Sequence, residues 1–128
     1  MWSSHPQVDA GEASELVRRC AEAAAECAQV CTACADACLG EDMVADLVGC
    51  IRMNSDCADV CATTARILTR QTQPDLATVR AVLEACRAAC GACATECESH
   101  ADMHDHCRVC AETCRRCEQA CAELLASL

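Results

Sequence analysis

Apolar and polar positions recur with helical rhythm in four long stretches of the 128-residue chain. The apolar steps are three, four or seven residues, the spacing at which an α-helix returns to one face. The pattern predicts helices over about Asp9–Leu39, Asp42–Thr69, Pro74–Glu98 and Asp102–Leu125. Asp9 with Glu12 three residues on reads as a variant capping box. Gly40 reads as a left-handed stop. Gln71–Gln73 form a polar break, Pro74 suits the first turn of the third helix, and Asp102 suits the cap of the fourth. All three connections are short, so successive helices are expected to be antiparallel neighbours. The expected fold is all-α: an antiparallel up-down-up-down four-helix bundle over residues 12–128, preceded by an arm over residues 1–11.

The inward face is made of cysteine. The first helix carries Cys20, Cys27, Cys31, Cys34 and Cys38, and the second Cys50, Cys57 and Cys61. The third carries Cys86, Cys90, Cys93 and Cys97, and the fourth Cys107, Cys110, Cys114, Cys117 and Cys121. The 4, 3, 4 steps of Cys86–Cys97 repeat those of Cys27–Cys38, each set closing its helix before a turn. The topology then places Cys38, Cys97 and Cys107 beside the 1–2 and 3–4 turns, with Cys50 two turns inside the second helix. Cys20, Cys61 and Cys121 fall roughly 28 Å away at 1.5 Å per residue. Beyond them stand Leu16, Val17, Ile67, Leu68, Leu76, Val79, Leu83, Leu124 and Leu125. A thiol-lined tube closed at one end by a hydrocarbon plug is expected.

Composition sharpens this. Phe and Tyr are absent and the one Trp is Trp2, so Ala, Cys, Leu and Val must fill the core. The formal net charge of −10 disfavours nucleic acid and anionic membranes as partners. No apolar run approaches the ~20 residues of a membrane span. Met1–Gly11 lacks the basic and apolar regions of a secretory signal. Arg18-Arg19 runs straight into the helical pattern at Cys20, which removes a twin-arginine reading. A cytoplasmic protein is expected, and there a dense cysteine set points to metal or redox chemistry rather than structural disulfides.

Neighbouring thiols on one helix face are ~5–6 Å apart at Cβ, too far for a disulfide but suited to sharing a metal ion. Seventeen is also odd, which excludes complete pairing. Each Cys-x-x-Cys lies inside continuous helical periodicity and not on a zinc knuckle. Cu(I) is soft and accepts two or three thiolates. One Cu⁺ per thiolate is neutral, whereas Zn²⁺ on four thiolates leaves −2 to be buried at each site. Bridging thiolates would allow on the order of 17 ions, unshared trigonal sites about 5–6. Met43 and His104 are expected as further ligands at the open end. Met103, His100 and His106 stand nearby with either a ligand or a solvated role. Met53, one turn from Cys50 and Cys57, is donor or packing, with packing favoured. His5 is expected to be exposed and silent.

The four ladders resemble the bacterial copper storage proteins, four-helix bundles whose cores are lined by cysteines, and the lack of an export signal makes the chain similar to their cytosolic branch. The resemblance covers roughly residues 12–125. It implies many Cu(I) ions along the axis, a homotetramer, and a Met/His mouth through which copper passes, a role it gives to Met43 and His104. Met53 and the gap from Cys50 to Cys57 depart from an all-thiol ladder. The expectation is a Cu(I) storage or sequestration protein, with a copper chaperone as a possible partner. It is not expected to be an enzyme, since no residue set combines base, nucleophile and oxyanion site. The rivals are a metallothionein-like Zn²⁺ or Cd²⁺ buffer, a thiol–disulfide oxidoreductase with Cys107 as its nearest reactive thiol, and an Fe–S carrier.

Overall fold

A computed structural model describes residues 1–128. It contains four α-helices and no strand: α1 Glu12–Leu39, α2 Val48–Thr69, α3 Leu76–Glu98 and α4 Asp105–Ser127. α1 packs on α2 and α4, and α3 packs on the same two. The helices therefore stand at the corners of a square in up-down-up-down order, as the short connections require. Ala and Cys on the inner faces let the backbones approach closely, and the core is one continuous cluster.

The helix ends differ from the sequence reading in ways that matter at the open end. α1 begins at Glu12 with Gly11 as its cap. Asp9 closes a local turn, its carboxylate accepting from the Gly11 N–H at 2.8 Å and the Ser14 hydroxyl at 3.0 Å, so there is no capping box. Gly40 ends α1 in a right-handed conformation (φ −86°), not a left-handed one. The second helix does not start at Asp42. Val44–Leu47 form a 3-10 turn, and Leu47 is completely buried. Tucking Leu47 under the bundle end delays α2 to Val48. Cys50 thus sits in the first turn of α2, at the mouth and not two turns inside it.

Pro74 lies ahead of α3, whose cap is Asp75. The Asp75 carboxylate accepts from the Thr78 N–H at 3.0 Å and the Thr78 hydroxyl at 2.6 Å, satisfying a free N–H of the first turn. α4 is capped at His104, not Asp102. Met43, Met103 and His104 consequently sit in the connections rather than inside helices.

At the far end Leu68, Leu83 and Leu124 are buried, with Leu16, Val17, Val79 and Leu125 packed on them. Ile67 is half-buried, and Leu76, at the exposed start of α3, does not join the plug. The N-terminal arm folds back so that Met1, Trp2 and His5 lie beside Arg18 and Ala21 of α1 and Ala65 and Thr69 of α2. His5 is half-buried instead of exposed, its Nδ1 accepting from the Gln7 N–H at 3.0 Å.

Candidate metal centre

The fold turns every cysteine inward. All seventeen are buried, and none is in a disulfide. Their sulfurs form a nearly continuous column. Near the closed end Cys20 lies 3.8 Å from Cys121, Cys86 3.9 Å from Cys117, and Cys61 3.5 Å from Cys90. At mid-bundle Cys27 touches Cys31, Cys57, Cys90 and Cys114 at 3.7–4.0 Å. Above them Cys31 is 3.5 Å from Cys114 and 3.7 Å from Cys110, and Cys50 is 3.7 Å from Cys97. For a metal–sulfur bond of ~2.3 Å, sulfurs on one ion lie roughly 3.8 Å apart at tetrahedral angles. The column is therefore spaced for thiolates that share ions.

Groups of four thiols can close on one point, and the groups overlap. Cys27, Cys57, Cys61 and Cys90 form one, while Cys27, Cys31, Cys57 and Cys114 form another. Cys31, Cys93, Cys110 and Cys114 make a third, and Cys61, Cys86, Cys90 and Cys117 a fourth. Discrete tetrahedral zinc sites need separate ligand sets. Here one sulfur serves two groups, which is the geometry of bridging.

The ladder of α2 is interrupted at Asn54, not at Met53. Asn54 is fully buried, and its carbonyl oxygen accepts from Cys93 at 3.0 Å, Cys110 at 3.3 Å and Cys97 at 3.5 Å. Its amide donates to Cys50 at 3.6 Å. Met53 points to the surface. The sequence reading saw the gap and named the wrong neighbour. The 4, 3, 4 steps from Cys50 through Asn54 and Cys57 to Cys61 are the signal that identifies it.

At the mouth, His106 is the imidazole that meets the thiols. Its Nδ1 lies 3.4 Å from Cys34 and 3.6 Å from Cys107, and the three join Cys38 in one possible ligand set. His106 stands one turn before Cys110 on the face that carries Cys110, Cys114, Cys117 and Cys121, so its position was legible. His104 is buried at 7% exposure, and its Nδ1 pairs with Glu41 rather than with a thiol. Met43 and Met103 are 37% and 70% exposed, and His100 pairs with Glu96 at 3.2 Å.

Proton affinity varies along the column. Burial, then the neighbouring Cys50 charge, pushes Cys38 up to about 11 and Cys107 up to about 12. Hydrogen bonds from Cys34 and Cys97 pull Cys50 down to about 2. Deeper in, hydrogen bonding with Cys114 is the first cause that holds Cys27 and Cys57 low, whereas hydrogen bonding with Cys110, then Cys114, pushes Cys31 up. A network of this kind keeps most of its protons until a soft cation displaces them.

A helical bundle around a reduced, continuous thiol column defines the class: a binder of many soft metal ions in one shared array. A family model described as copper storage protein matches residues 13–126, and the chain belongs to that family. It is similar to the Streptomyces lividans copper storage protein Ccsp in a structure loaded with 10 copper equivalents. The two are 57% identical, with a TM-score of 0.93 over 98% of this chain and 96% of that one. A five-copper structure of a cytosolic copper storage protein from the same organism is 61% identical, with a TM-score of 0.88 over 89% and 95% of the two chains. The cysteine-rich protein YhjQ of Bacillus subtilis (strain 168), itself uncharacterised, is 36% identical over 107 residues, 84% of this chain and 94% of that one.

Proposed function

We propose that this protein stores Cu(I) in the cytosol, holding many ions per chain on bridging thiolates of its seventeen core cysteines. The overlap of the four-thiol groups carries the reading, because shared sulfurs raise capacity beyond what separate sites allow. Neutral Cu⁺–thiolate units also fill a buried column without accumulating charge. The copper-loaded Streptomyces structures support it, with five and ten coppers in bundles of the same form. The role is binding and not catalysis. Copper passes through the end framed by Met43, His104 and His106. The family resemblance adds a homotetramer, and a copper chaperone is a candidate partner.

The test is an anaerobic titration of fully reduced protein with Cu(I) against a competing chromophoric chelator. A count above about ten tightly held ions per chain is expected for bridged thiolates. Four or fewer would mean discrete sites and return the zinc-buffer or redox readings. Sedimentation of the same samples reports the tetramer.

A further inference from the structure

In the middle of the bundle the sulfurs close into triangles. Cys27, Cys57 and Cys90 stand 3.8–4.0 Å apart. Cys57, Cys61 and Cys90 stand 3.5–3.8 Å apart, and so do Cys27, Cys31 and Cys114. The centre of each triangle lies roughly 2.1–2.3 Å from its sulfurs, close to the ~2.3 Å bond of a first-row ion to a thiolate. Cys27, Cys57 and Cys90 each belong to two triangles, so ions at the three centres share sulfurs. The walls behind them have little to yield. Ala24 and Ala94 are fully buried, and Ala58 and Ala111 nearly so. Helix contacts made of methyl groups have no long side chain to rearrange. A thiol that serves one ion alone can turn to another staggered position about its Cα–Cβ bond. A bridging sulfur is held from two sides and cannot relieve one bond without straining the other.

We propose that these triangles make the column selective by ion radius: it takes Cu⁺ in bridged arrays and denies the same arrays to a larger soft cation such as Ag⁺. This rests on the storage reading and specifies what the store admits. Ag⁺ shares the charge of Cu⁺ and its preference for soft thiolates. It is the larger ion, its bonds to sulfur are longer, and three thiolates around it stand farther apart than the triangles allow. To hold silver on shared sulfurs the helices must separate along the array and lose their alanine contacts, and a close-packed core resists that expansion. Silver is held instead on thiols of its own, which turn to fit it. The seventeen thiols taken two at a time hold about eight ions, whereas bridged copper exceeds about ten. The chain thus discriminates by how many ions it holds and not by how tightly it holds the first.

The experiment titrates metal-free, fully reduced protein anaerobically with Cu⁺ in one series and Ag⁺ in another. Free ion is removed by gel filtration, metal per chain is counted, and far-UV circular dichroism is recorded on each loaded sample. The expected result is more than about ten Cu⁺ per chain and about eight Ag⁺ or fewer, with the helical signal intact in both. Silver above that number only with loss of helical signal also supports the proposal, because the bundle then opens to admit the larger ion. Silver at the copper count with the helices intact overturns it. Cys27→Ser, Cys57→Ser and Cys90→Ser together remove the shared sulfurs. This variant should lose at least about three copper ions but no more than about two silver ions, and equal losses overturn the proposal. A copper count of four or fewer in the parent protein overturns the storage reading instead, whatever silver does.

Discussion

Asn54 occupies the one rung of the α2 ladder that carries no sulfur, and it is tied to four thiols by its carboxamide. A carboxamide is a hard donor among soft ones, so this rung adds no thiolate to the column. Asn54→Cys should fold, since a thiol is smaller than the carboxamide and the site already faces sulfur on three sides. It should raise the Cu(I) count by about one ion if thiolates set capacity. A chelator-competition titration of the variant beside the parent decides this, and an unchanged or lower count would show that thiol number is not what limits storage. At this scale the sequence was legible wherever a residue repeats the ladder's period, as all seventeen cysteines do. It left His106 open between ligand and solvated residue, although its place one turn before Cys110 sets its ring beside the thiols. It failed for Glu41, because its meeting with two histidines of another helix end is a tertiary fact.

The elements themselves follow from inward faces of small residues, and their ends from local polar groups. Existence and order of the four helices were readable from period, and their pairing from the short connections, but their starts were not. Leu47 is apolar within a polar connection, and only packing decides whether it extends a helix or tucks beneath one. The central turns of α1, α3 and α4 supply the crossing points of the column, where Cys31, Cys93 and Cys114 meet. Replacing Cys31, Cys34, Cys90, Cys93, Cys114 and Cys117 together by Ser removes six of the seventeen thiols. Capacity should fall by roughly a third or more, because each lost bridge serves two ions. Far-UV circular dichroism should stay helical, since Ser is close to Cys in size and the outer faces are untouched. Full capacity in this variant would mean that copper is held outside the column.

For the molecule as a whole, the acidic surface and the protonated column make stability depend on pH and on cargo. Cys38 and Cys107 hold their protons to about 11 and about 12 in the folded chain, against 9.0 for an ordinary thiol. Burial is the first cause in both, and nearby thiolate charge the second. The unfolded chain therefore loses these protons first. Between pH 9 and 12 the folded state binds more protons than the unfolded one, so stability falls as pH rises. Below pH 9 these two groups are protonated in both states and their contribution is fully present. Cys50, held low, works the other way and adds stability as pH rises toward 9, so the metal-free protein should melt highest near pH 9 and at progressively lower temperature beyond it. Copper removes the cause, because metal-bound sulfurs have already surrendered their protons and ions bound to the folded state alone add stability by mass action. Copper-loaded protein should accordingly melt higher throughout and show a flatter alkaline profile. Anaerobic thermal melts of both forms across pH 7–12 provide the check. Parallel profiles would mean that the thiols nearest the mouth are not the groups copper engages.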